Sequence, residues 1–117
     1  MDSKEFAEMI AEIILGKKGY DLRLLDLREL SSFADYFLIC SADSDVQVKA
    51  IADAVDKDLR KLGIKCRHKE GYNALNWVLL DYFDVVVHVF KNESRSYYNL
   101  EKLWGDAPVT AIEDNIK

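Results

Sequence analysis

The segment from Ala74 to Lys91, ALNWVLLDYFDVVVHVFK, constrains the fold more than any other part of the chain. Two runs rich in Leu, Val and aromatic residues flank an acidic break. Each is too short for a helix, so the pair reads as a β-hairpin. With Tyr82 and Phe83 as the turn, Asp81 pairs with Asp84, Leu80 with Val85, Leu79 with Val86, Val78 with Val87 and Trp77 with His88. Side chains alternate across a strand, so this pairing sorts them into two faces. Val78, Leu80, Val85, Val87 and Val89 make an aliphatic face that belongs against helices. Trp77, Leu79, Asp81, Asp84, Val86 and His88 make a mixed face, with large apolar groups beside carboxylates and an imidazole. A slip of one residue in either strand would exchange that strand's faces.

An apolar patch rimmed by charge on a soluble protein marks an interface. Trp is the residue type most enriched among those that carry binding energy. The alternative is that the tail or a neighbouring loop covers these residues, and pattern alone leaves both open. Asp81 and Asp84 also suit a turn in their own right.

The rest of the chain supplies what such a hairpin packs on. Residues 2–15 read as a helix, capped by Asp2 and Glu5, with Phe6, Met9, Ile10, Ile13 and Ile14 on one side and Gly16 at the end. Tyr20–Leu27 alternates as a strand, and Asp35–Ser41 is a nearly continuous apolar strand suited to the middle of a sheet. Ser44 and Gln47 form a capping box ahead of a helix whose apolar stripe is Val48, Ile51, Ala52, Val55, Leu59 and Leu62, stopped by Gly63. Ile64–Lys69 follows as a strand. Strand, helix and strand with short joints form a crossover unit, so its two strands run parallel. After the hairpin a last helix spans Ser94–Trp104, and Gly105 ends it. The fold class expected is α/β of the α+β kind: a mixed sheet of about five strands with helices mainly on one face. Residues 1–105 form a single domain, and 106–117, with Pro108 as the sole proline, form a loose tail.

The function classes this leaves are narrow. The net charge is −5, which opposes general nucleic-acid binding. A basic cluster of Lys57, Arg60, Lys61, Lys65, Arg67, His68 and Lys69 is diluted by Asp53, Asp56 and Asp58 and reads as a solvated helix end with an exposed strand face. The chain shows no secretory leader and no apolar run near the ~20 residues of a membrane span. Cys40 and Cys66 read as reduced thiols of a cytoplasmic protein. His68 and His88 lack metal-ligand spacing with each other or with the cysteines, and Gly71 and Gly105 stand alone, away from any phosphate-cradling loop. Asp43 with Asp45 and Asp81 with Asp84 are explained by capping and turn formation. A nucleophile and base pair of Cys40 and His88 would put the thiol in an apolar strand, where it is inert. The chemistry is that of a protein that binds and does not catalyse, with no cofactor and no metal.

Three stretches, LDL…LSSFADYFLICSADSDVQVKAIAD, then EGYNALNWVLLDYFDVVVHVF, then RSYYNLEKLW, resemble the ribosomal silencing factor family, also called Iojap or RsfS. The resemblance runs in order from about Leu25 to Ala107. It implies a protein that binds the large ribosomal subunit through its protein L-fourteen. Such a protein sterically blocks joining of the small subunit and represses translation under nutrient limitation. It also implies a nucleotidyltransferase-like fold without that activity, and a possible homodimer. The chain departs from the family at Phe83 and Ala42, where Gly is usual. A tight primed turn needs positive φ at position 83, which Phe resists, so a wider turn is expected.

Joined to the face argument, the resemblance implies a docking surface of Trp77, Leu79, Asp81, Tyr82, Asp84, Val86 and His88, with Lys91, Arg95 and Tyr98 at the rim. Trp77 and Leu79 are the apolar anchors. The carboxylates steer towards basic groups on a ribosomal protein, and the acidic net charge points to contact with protein more than with rRNA. Two other readings stand beside this one. An enzyme would need Asp43, Asp45 and perhaps Asp81 to converge on magnesium. A homodimeric scaffold would bury Trp77 against a second copy.

Overall fold

The computed structural model describes residues 1–113. Helix α1 (Ser3–Gly16) and helix α2 (Asp45–Lys61) alternate with strands β1 (Tyr20–Asp26), β2 (Tyr36–Ala42), β3 (His68–Glu70), β4 (Trp77–Asp81) and β5 (Val85–Lys91). Two short helices, α3 (Asn92–Tyr98) and α4 (Leu100–Leu103), and strand β6 (Val109–Ile112) close the chain. The strands form one mixed sheet in the order β3-β4-β5-β2-β1-β6. Among the described residues only β2 and β5 pair in parallel. Among the described residues no helix is long and apolar enough to cross a membrane.

The helix ends obey their local signals. Asp2 accepts the Glu5 amide at 2.8 Å while Glu5 Oε1 accepts the Asp2 amide at 3.1 Å, a complete capping box. Ser44 Oγ accepts the Gln47 amide at 3.2 Å, but Gln47 Oε1 reaches back one residue further, to the Asp43 amide at 2.7 Å. α1 and α2 bury Ile10, Ile14, Ile51, Val55 and Leu59 against Leu22, Leu24, Leu38, Val78, Leu80, Val87 and Val89 of the sheet. This is the expected core, and the aliphatic hairpin face lies in it.

The opposite face is not bare. A smaller cluster of Leu25, Leu27, Ile39, Phe90, Leu100 and Ala107 sits there under the α3–α4 segment, with Phe37, Trp77 and Trp104 packed at its margin. The expected single helix over Ser94–Trp104 is broken at Asn99, whose left-handed φ of 49° turns the chain between α3 and α4. The sheet has six strands, not five. Val109–Ile112, inside the segment expected as a loose tail, pairs antiparallel with β1, and the Pro108 carbonyl accepts the Asp26 amide at 2.9 Å. Without β6 the buried strand β1 would be an edge with unpaired backbone groups. Residues 114–117 of the expected tail lie outside the described residues.

Two further expectations change. β3 is three residues long and runs in the direction of β2, but β4 and β5 lie between them. β5, apolar but for His88 and the terminal Lys91, takes the central place beside β2, and the polar β3 goes to the edge. The hairpin register is also two residues from the expected one: Trp77 opposes Phe90, Leu79 opposes His88 and Asp81 opposes Val86. The turn residues are Phe83 and Asp84, closed by the Tyr82 amide on the Val85 carbonyl at 2.9 Å. Phe83 takes φ 72°, so the wider turn does not form. A shift of two preserves the faces, because side chains repeat every second residue.

Candidate docking face

Strand alternation places Trp77, Leu79 and Asp81 of β4 beside Val86, His88 and Phe90 of β5 and Phe37 and Ile39 of β2 on the face away from α1 and α2. Trp77 is half-buried. Its ring stacks on Phe90 at 4.9 Å between centroids and meets Tyr98 at the same distance. Its indole Nε1 donates to His88 Nδ1 at 3.0 Å. His88 therefore carries its proton on Nε2, which has no hydrogen-bond partner among the described residues; the imidazole as a whole packs on the Phe37 ring, 4.5 Å between centroids. His88 is 2% exposed. Burial pushes its pKa down to about 3, so the imidazole is neutral.

His88 thus cannot serve as a surface contact; it is the acceptor that orients Trp77 from below. Three more of the expected contact residues are turned inward. Tyr82 points to the other face, buried with its ring edge-on to Phe6 of α1 at 5.9 Å, and burial pushes its phenol pKa up. Val86 is buried in the centre of the sheet. Arg95 is 8% exposed. It donates to both carboxylate oxygens of Glu101 (2.9 and 3.0 Å), to the Asp21 carbonyl (2.6 Å) and to Ser41 Oγ (2.9 Å). It is a clasp holding α3 and α4 to the sheet, and it holds the Glu101 carboxyl below its usual range.

The remaining expected residues do reach the surface. Leu79 and Trp77 are partly exposed, and Tyr98 and Asp84 are exposed. Asp81 is mostly committed: it accepts the Phe83 amide at 2.8 Å and pairs with Arg67 at 3.1 Å. Arg67 in turn lies 4.0 Å over the centroid of the exposed Phe83 ring. Lys91 pairs with Asp45 at 2.8 Å. Sequence reasoning missed Phe37 and Trp104, half-exposed and edge-on to each other at 5.7 Å, and the exposed Tyr97, 5.1 Å from Tyr98. Phe37 was legible only through its register with Val86, which no local pattern reveals. The result is an aromatic strip in two parts, Trp104 with Phe37 and Trp77 with Tyr98 and Tyr97, joined underneath by the His88 ring, which meets both Phe37 and Trp77; Leu79 lies beside it and Asp84 at the turn.

The carboxylates of the enzyme reading do not converge. Asp43 and Asp45 follow the end of β2 beside Lys91, whereas Asp81 opposes Val86 near the start of β5. Five strand residues, about 17 Å, separate those positions. Asp43 accepts the Tyr20 hydroxyl at 2.7 Å, and Asp45 is paired with Lys91. Among the described residues no three His, Cys, Asp or Glu side chains are grouped to hold a metal ion.

Comparison with known proteins adds the following. A family described as "Ribosomal silencing factor during starvation" matches residues 1–117. The ribosomal silencing factor RsfS of Bacillus subtilis is 45% identical over 113 residues, covering 97% of this chain and 96% of the relative. A solved structure from Chromobacterium violaceum superposes with a TM-score of 0.86 at 34% identity, covering all of this chain and 98% of its own. A crystal structure from Bacillus halodurans gives 0.83 at 39% identity, covering 94% of this chain and all of its own.

Proposed function

The chain belongs to the ribosomal silencing factor family, and from that premise we propose that it docks on the large ribosomal subunit through protein L-fourteen. Seated there, it sterically keeps the small subunit from joining and so represses translation in the cytoplasm when nutrients are short. The observation that carries this reading is the aromatic strip on the sheet face away from α1 and α2, above all the Trp77 ring held half-exposed by His88 and Phe90. A rigid, pre-oriented aromatic surface is the kind of anchor that dominates protein interfaces, because little side-chain entropy is lost on binding. Asp84, exposed at the turn, adds steering towards a basic partner.

The test is co-sedimentation with purified large subunits, followed by light scattering as small subunits are added. Leu79→Arg places a charge in the apolar strip and Asp84→Arg reverses the rim. Each should weaken binding at least tenfold, about 1.4 kcal/mol, and restore joining, with helical circular dichroism unchanged. Wild-type binding by both variants would refute the surface. A second copy could use the same apolar strip, and light-scattering mass across a dilution series separates a homodimer from a monomer.

A further inference from the structure

Six of the 16 Lys and Arg residues fall between positions 57 and 69: Lys57, Arg60, Lys61, Lys65, Arg67 and Lys69. All six are exposed. The nearby carboxylates are fewer than the cations, and all but Asp58 already have a partner. Asp56 Oδ2 receives both Arg60 at 2.6 Å and Lys69 at 2.7 Å, so one buried carboxylate serves two cations. Asp53 is paired with Lys49, Glu70 with His68 and Asp81 with Arg67, leaving exposed Asp58 as the further acid. Among the described residues Lys57, Lys61 and Lys65 make no ion pair. The surplus positive charge stands out on a chain whose net charge is −5.

The fold gathers these cations into one surface. Lys57, Arg60 and Lys61 line a shallow depression along the end of α2, together with Asp53 and Asp56, whose carboxylates are paired with Lys49 and with Arg60 and Lys69. Arg60, Lys65 and Lys69 line the adjoining one, against the edge strand β3. Arg67 carries the patch round the sheet edge to Phe83 and Asp81, at the margin of the aromatic strip. Lysine is depleted in protein–protein interfaces, so a lysine-rich patch is a poor match for a second protein. Firm attachment to a lipid surface takes an apolar helix face or anchor besides the basic rim. The apolar side of α2 is used in the core, leaving Leu62 exposed here. Phosphodiester backbones are bound by arrays of Lys and Arg without any apolar requirement.

We propose that this shoulder binds the phosphates of structured RNA beside the protein contact made by the aromatic strip, an inference that rests on the ribosome-docking reading. The sheet edge then separates two kinds of recognition: an aromatic face for protein and a basic edge for RNA.

The test uses the triple variant Lys57→Glu, Lys61→Glu, Lys65→Glu and, separately, Leu79→Arg, each checked for fold by circular dichroism. A labelled short RNA duplex is titrated by fluorescence anisotropy across a salt series. Wild type should bind with log affinity falling linearly in log salt. The triple variant should lose at least about tenfold and flatten that slope by about 3, close to one for each lysine removed, while Leu79→Arg binds the duplex as wild type does. Absence of wild-type duplex binding, equal binding by the triple variant, or preference for phosphatidylserine vesicles over the duplex would overturn the proposal. The duplex contains no ribosomal protein, so failure there is distinct from failure of Leu79→Arg and Asp84→Arg to weaken subunit binding.

Discussion

Replacing His88 with Phe removes the acceptor under Trp77 while keeping a ring in the same space. The pH dependence of stability then reports on His88 alone. In the folded chain burial holds the imidazole pKa at about 3, against an ordinary value of 6.5. Between these limits the unfolded chain binds a proton that the folded chain refuses, so stability falls as pH falls. The loss approaches about 1.4 kcal/mol for each pH unit below the ordinary value, or roughly 2 kcal/mol in all from about pH 6.5 to about pH 4.5, because at the upper end the unfolded imidazole is only half protonated. Urea denaturation of wild type and His88→Phe at both pH values measures the difference, and subtracting the variant removes the carboxylates common to both. At neutral pH the variant should be about 1–2 kcal/mol less stable, because the indole Nε1 loses its partner. It should lose much less of its remaining stability on acidification. Parallel pH slopes for the two proteins would show that His88 is hydrated or charged in the folded state, and the account of how Trp77 is held would fail.

Three further substitutions, at two positions, probe the backbone around the same strip. Gly71 has φ 95°, and a Cβ there would fall 1.9 Å from the Trp77 carbonyl oxygen. Gly71→Ala should therefore cost at least about 2 kcal/mol and shift the emission of the displaced Trp77, read by thermal melts and tryptophan fluorescence. Phe83 sits at φ 72° under the Arg67 guanidinium. Phe83→Gly should stay within about 1 kcal/mol of wild type, since relief of strain offsets the lost cation–π contact and the freer unfolded chain. Phe83→Ile should cost more than about 1 kcal/mol, because a β-branched residue resists positive φ. Equal melting temperatures for the two variants would contradict this reading of the turn.

Much of the candidate face was visible in the order of residues. Two-residue alternation puts Trp77 and Leu79 on one side of the hairpin, and they lie there although the register differs by two from the expected one. What was not visible is how far each side chain reaches water. His88 and Val86 alternate correctly with Leu79, yet both are sealed, because Phe37 and the aromatic strip close over them. Tyr82 lies just beyond the last paired residue of β4, where alternation turns it to the α1 side. Arg95 looks like a surface cation until Glu101, Ser41 and the Asp21 carbonyl are brought around it. Those partners are six, 54 and 74 positions away in sequence.

Local chemistry by itself settled the two long helices, their caps and the two faces of the hairpin, since a helical stripe, a capping pair and a two-residue alternation are all readable within a few positions. Only tertiary contact decided the strand order, the two-residue register, the sixth strand from Val109 to Ile112 and the burial of His88 and Arg95. These depend on which distant backbone groups and side chains meet. A strand's own residues state which face is apolar, but not which neighbour will cover it.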